Sequence, residues 1–311
     1  MIRNESCMQR EGRWSGMLTH LTHSAWLRVL VFSTCALCHR AAAQGPLDGY
    51  MKGKGVLDMA PAVSFSTAKV FLGAGSRAYE EAFRATTLSV FAEYGITERF
   101  DLVATGAYLF TAARNGLQDG GLFVKYRPVY ANYGKAGRLS IIGATGASFP
   151  LSNYEIVAAG ALGQKAVAVP ARLIVQYDSP AGIFINATGG YNWRLDRFKS
   201  ADIETVRQQR PDFEPRDPVP FATVLVKAGY AATHFYADVW IERQMTKGGN
   251  NYTPGLADLP QGYGVEYTQA GGVLYYSEHP KRGFFVSGGR IFAGRNTSKI
   301  TRFTIGMVIK N

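Results

Sequence analysis

Few residues in this chain could do covalent chemistry. All three cysteines, Cys7, Cys35 and Cys38, lie in the first 38 residues. Over residues 44–311 only two histidines occur, His234 and His279, and both fall in or beside predicted tight turns. Hydrolytic catalysis usually sets a histidine against a nucleophile or an acid. Neither histidine sits at a strand end facing the long connections, and no GxSxG is present. Glu80, Glu81 and Asp258 could bind calcium loosely, but no EF-hand spacing surrounds them, so they read as solvated loop charge. The sequence therefore predicts no enzyme, no metal and no cofactor. The remaining candidates are charges at inward positions of strand-like segments: Glu93, Lys125, Arg127, Arg172, Arg194, Lys227, Asp238, Glu242, Arg290 and Arg302.

Inward placement follows from how these charges are spaced. From about residue 52 the chain repeats segments of roughly ten residues, rich in Val, Ile, Tyr, Phe, Thr and Gly, between turn signals. In 88–96, Leu88, Val90, Ala92, Tyr94 and Ile96 alternate with Ser89, Phe91, Glu93 and Gly95. In 183–194, Ile183, Ile185, Tyr191 and Trp193 alternate with Asn186, Thr188, Asn192 and Arg194. Successive strand side chains face opposite ways, so each segment has one apolar and one more polar face. An arginine or lysine facing lipid at the bilayer midplane costs about 2–4 kcal/mol, which favours the lumen. Seven of the ten candidates are basic. Two readings follow: rings of Arg and Lys favour anions in an open pore, or these cations pair with Glu93, Asp238 and Glu242 and plug a narrow lumen.

The predicted strands are 54–66, 86–96, 101–111, 119–128, 138–149, 164–177, 182–194, 219–230, 234–245, 264–276, 284–294 and 300–310. Tight connections such as Thr97–Phe100, Ser179–Ala181 and Ala231–Thr233 alternate with long ones at 67–85, 150–163, 195–218 and 246–263. This sorting is that of a bacterial outer-membrane barrel, with short periplasmic turns and long external loops. The expectation is an all-β, transmembrane, antiparallel up-and-down barrel of about twelve strands. A secreted β-sandwich or jelly roll is the competing fold, but its outward face would normally be the polar one. The clustered charges Arg77 to Arg84 and Asp202 to Arg216 are assigned to external loops.

Arg28, the apolar run Val29 to Cys38 and Ala41-Ala42-Ala43 together describe a cleavable secretory signal. The run is too short to span a bilayer, which needs roughly 20 residues. Residues 1–43 are read as signal peptide, with Met17 an alternative start, and 44–311 as one barrel domain exported to the outer membrane of a Gram-negative cell. The net charge of +11 is spread singly along the chain, without a nucleic-acid-binding motif. The expected partners are outer-membrane lipid and lipopolysaccharide, barrel-assembly machinery during biogenesis, and a small solute. Many such barrels end on an aromatic residue, whereas this chain ends Ile309-Lys310-Asn311, leaving Phe303 or Ile309 for that role.

Three stretches, Met51-Lys52-Gly53-Lys54-Gly55, Phe91-Ala92-Glu93-Tyr94-Gly95-Ile96-Thr97-Glu98-Arg99-Phe100-Asp101-Leu102 and Gly120-Gly121-Leu122-Phe123-Val124-Lys125-Tyr126-Arg127, carry a resemblance. Together they resemble the outer-membrane transporter family named for the meta-pathway of phenol degradation, with its KGxG lead into the first strand. The resemblance is clearest over 51–127. It implies movement of small molecules, hydrophobic or aromatic ones among them, across the outer membrane, and no particular compound; the barrel itself is read as a channel for passive or facilitated diffusion. A non-conducting structural or surface-interaction barrel is the alternative.

Overall fold

The computed structural model describes residues 47–112, 115–154, 166–195, 219–251 and 264–311, with isolated residues 204, 207, 208 and 217. The signal-peptide reading lies outside them. Twelve long strands run antiparallel: β1 (Leu57–Leu72), β2 (Ala78–Gly95), β3 (Phe100–Thr111), β5 (Asp119–Asn132), β6 (Arg138–Pro150), β7 (Ala168–Asp178), β8 (Ile183–Arg194), β9 (Phe221–Ala231), β10 (Phe235–Thr246), β11 (Glu266–His279), β12 (Arg282–Arg295) and β14 (Thr301–Lys310). Two short strands, β4 (Asn115–Leu117) and β13 (Thr297–Ser298), extend the wall beside β3 and β1. Each long strand pairs with its sequence neighbours, and β1 closes the sheet by pairing with both β2 and β14. The result is a closed barrel without a free edge, the form in which a sheet can satisfy every backbone group inside lipid.

The outer face is built from the apolar phase of each strand. Leu88, Val90, Leu122, Val124, Leu173, Val175, Ile183, Ile185, Val224, Val226, Val239 and Ile241 are all exposed there. Aromatics collect where the strands reach the short turns: Tyr94, Phe100, Tyr126, Tyr177, Tyr230, Phe235, Tyr276 and Phe284. Phe100 and Tyr126 stack with ring centroids 4.5 Å apart. This girdle marks one membrane–water interface. The turns beneath it are locally specified. Thr97 Oγ1 accepts from the backbone N–H of Arg99 and of Phe100, and Gly182 takes φ +86 between β7 and β8.

One predicted loop is absent. Residues 67–85 form no long connection: β1 runs on to Leu72, β2 starts at Ala78, and only Gly73–Arg77 turns the chain. Arg84 thus lies on a strand. The stretch reads as a loop because paired strands that rise past the hydrocarbon no longer need an apolar outer face. The other long connections predicted, at 150–163, 195–218 and 246–263, fall largely outside the described residues.

Candidate functional site

The lumen is filled unevenly. Along β3 and β5–β10 the inward side chains Val103, Phe123, Ile142, Ile174, Phe184 and Trp240 are buried, together with Gln176, Asn186 and Asn192. Along β1, β2, β14, β12 and β11 the inward side chains are small or set back. They leave a cavity of ≈ 680 Å³. It is lined by hydroxyls, from Ser64, Ser66, Thr87, Ser89, Ser287 and Thr304, and by aromatic rings, from Phe83, Phe91, Tyr236, Tyr275 and Phe285, which share strands β2 and β12 with some of those hydroxyls. Ser64 and Thr304 share a hydrogen bond of 2.8 Å, and Arg302 Nε donates to Ser66 Oγ at 2.7 Å.

At the short-turn end the cavity has a floor, made by the segment before β1. Residues 47–56 enter the barrel rather than hanging from it. Lys125, 0% exposed, donates from Nζ to Asp48 Oδ1 at 3.0 Å and to the Tyr50 carbonyl at 2.6 Å, and pairs with Glu93, also 0% exposed. Lys52 Nζ lies 3.3 Å from Glu93, 3.4 Å from Asp58 and 3.7 Å from Asp48. Its backbone N–H donates to Asp101 Oδ2 at 2.9 Å. Tyr50 packs edge-on against Phe184 and donates its hydroxyl to Asp178 at 3.3 Å. Beside it Lys227 pairs with Asp238 at 3.2 Å, and Tyr236 donates to the same carboxylate at 2.7 Å.

The charges of this floor are mutually held. Burial alone would raise the Asp48 carboxyl, but Lys52, Lys125 and Lys227 outweigh it and hold it well below the usual carboxylate range. Burial alone would lower the Lys52 ammonium, yet Asp48, Glu93 and Asp58 keep it above its ordinary value. Burial and the Asp178 charge raise the Tyr50 phenol, which stays protonated as a donor.

The chain then leaves the lumen through its glycines. Gly53 (φ +86) and Gly55 (φ +82) turn it sharply into β1. Gly55 N donates to Gly95 O at 2.7 Å and Gly95 N to Val56 O at 2.9 Å. A Cβ on Gly95 would stand 1.8 Å from the Gly53 carbonyl oxygen. Asn311 completes this rim, its side-chain oxygen accepting from Leu57 N at 2.9 Å and its amide donating to Gly55 O at 3.1 Å.

The ten sequence candidates separate into groups. Glu93 and Lys125 belong to the floor, Lys227 and Asp238 stand beside it, and Arg302 lines the cavity. Glu242 accepts from Gln269 on the filled side, where Arg172 donates to Asn192 Oδ1 at 3.1 Å. Arg194 stacks over Phe221 at 5.2 Å near the long-loop end. Arg127 sits at the short-turn rim, over Tyr130 and donating to Glu98 O at 2.9 Å, away from the cavity. Arg290 needs correcting: it faces outwards. Gly289 pairs with the inward Arg302, so Arg290, paired with Thr301, takes the opposite phase. It lies well up the strand rather than at the midplane, where the penalty that favours inward charge has faded. Asp48, Tyr50, Lys52, Asp58 and Asp101 did not figure among the candidates. Alternation within β1 and β3 does give Asp58 and Asp101 the inward phase, whereas the first three precede any strand and carry no periodic signal. His234 and His279 are tied at the short-turn end, with His234 Nδ1 2.8 Å from Ser277 O and His279 Nδ1 accepting from Lys281 N at 3.1 Å.

A closed twelve-stranded antiparallel barrel is a fold of outer-membrane proteins. Among solved structures, an outer membrane channel from Pseudomonas putida F1 is similar, with TM-score 0.64 and 16% identity over 86% of this chain and 100% of that one. The NanC porin is similar at TM-score 0.52 and 10% identity, over 81% of this chain and 98% of its own. At these identities the likeness is one of fold. No protein-family profile and no curated protein matches the chain.

Proposed function

We propose that the protein is an outer-membrane channel for small amphipathic, ring-containing solutes, with its periplasmic mouth closed by residues 47–56. The observation that carries this reading is the cavity of ≈ 680 Å³, lined by both hydroxyls and aromatic rings and ending on the ion-paired floor. Such a lining suits a solute with an apolar ring and a few hydrogen-bonding groups. The resemblance to the phenol meta-pathway family points to the same class, and the barrels of similar fold are channels or porins. Lys125 and Lys227 serve here as partners for Glu93, Asp48 and Asp238 more than as an anion filter. Liposome swelling tests the reading. Vesicles holding the folded protein should admit phenolic or benzoate-like solutes faster than sugars of equal size. Equal rates for both would overturn the solute class, and no swelling by any solute would favour a structural barrel.

A further inference from the structure

The outward face of β12, β14, β1 and β2, near the long-loop end, carries an arrangement that the channel reading does not use. Register places Arg290 opposite Thr301, Thr301 opposite Thr67, and Thr67 opposite Arg84, so the four form one row across four strands. At about 4.8 Å per strand, the two arginines are separated by about 14 Å. Directly below runs a second row, Phe303 opposite Phe65, Phe65 opposite Thr86, and Thr86 opposite Phe110. Arg84, Thr67 and Thr301 of the first row and all four residues of the second line an outer groove of ≈ 630 Å³, with Arg290 one strand beyond it; Phe65 and Phe110 are 50% and 40% exposed.

Both guanidiniums are exposed, and neither takes part in an ion pair among the described residues. On β2, Glu80 and Glu81 stand four and three residues from Arg84, toward the hairpin and beyond the row. β12 and β14 contain no Asp or Glu, and the one acid of β1, Asp58, points into the lumen. Two cations flanking two hydroxyls, with an aromatic groove on the membrane side, complement an anionic headgroup whose acyl chains descend into the bilayer.

We propose that this face binds the lipid A end of lipopolysaccharide, with a phosphate at each arginine, sugar hydroxyls at Thr67 and Thr301, and an acyl chain over Phe65 and Phe110. The site rests on the outer-membrane placement and not on conduction. It is tested with folded protein in phosphatidylcholine nanodiscs, titrated with bisphosphorylated lipid A and followed by native mass spectrometry. One saturable site is expected. The double variant R84Q/R290Q should bind roughly tenfold more weakly or worse, since each guanidinium–phosphate contact contributes a charge-assisted bond. The variant R282Q makes the same kind of charge change at the short-turn end and should bind as the unmodified protein does. Equal affinity in R84Q/R290Q would overturn the site, as would phosphatidylglycerol competing as well as lipid A, which would indicate a general anionic annulus. Protein that inserts and conducts but binds no lipid A would remove this site and leave the channel reading standing. Protein that binds lipid A but never conducts would do the reverse.

Discussion

Lys125→Met is the most informative single change, because Lys125 holds both the wall and the floor. Its ammonium touches Asp48, Glu93 and the Tyr50 carbonyl, and its side chain is fully buried. At an effective dielectric of about 20, a pair near 3 Å carries roughly 5 kcal/mol of attraction, most of it offset by desolvation. Removing one partner of a buried pair typically costs about 3–5 kcal/mol, since the other charge stays behind. Here Lys52 still lies 3.3 Å from Glu93, so the low end, about 3 kcal/mol, is expected. Methionine fits the apolar stem, so little of the loss comes from a void. Urea unfolding of the refolded barrel reads the stability. Trp193 and Trp240, the only tryptophans after the proposed signal, supply the fluorescence. The double variant Lys125→Met/Glu93→Gln should lose less than the sum of the two single losses, because the second change removes the carboxylate that Lys125 no longer neutralises. The same single variant should loosen residues 47–56 and raise single-channel conductance. Additive losses, with no coupling between 125 and 93, would refute the ion-paired floor.

Other changes test separate parts of the arrangement. Gly95→Ala puts a methyl into the Gly53 carbonyl and should destabilise the rim by about 1–3 kcal/mol, read as a lower urea midpoint. Arg302→Glu, inside the cavity, should shift ion selectivity toward cations in reversal-potential measurements, while Arg127→Glu at the rim should leave it nearly unchanged. Asp48 is depressed in the docked state, so its contribution to docking is present above its unfolded value and lost as pH falls through the folded one. Conductance should therefore keep that contribution from pH 5 to 8 and lose it only below about pH 4. For Lys52, raised in the docked state, the contribution is present below its unfolded value near 10.4 and persists across the same range.

The wall of this barrel was far more legible than its contents. Alternation alone gives Glu93, Lys125 and Lys227 their inward phase, because one strand parity sorts lipid from lumen over every segment. The hairpin at 73–77 was obscured because Arg77 to Arg84 look like loop charge, although paired backbone carries them beyond the apolar belt. Arg290 was misplaced by applying the midplane penalty to a residue high on its strand, where the register with Thr301 decides instead. The floor was hidden for a different reason. Asp48, Tyr50 and Lys52 have no period, and their partners Glu93, Asp101, Lys125 and Asp178 sit on four other elements, joined only when the barrel closes. The KGKG run hinted at it, since two positive-φ glycines beside lysines describe a sharp exit for charged backbone better than they describe a strand.

The most direct measurement is planar-bilayer conductance of the folded protein, residues 44–311, beside the triple variant Asp48→Ala/Tyr50→Ala/Lys52→Ala. The intact barrel should give small or brief openings, and the variant larger and longer ones through the same lumen. Identical conductance in the two, or none in either, would contradict a channel closed by its own N-terminal segment.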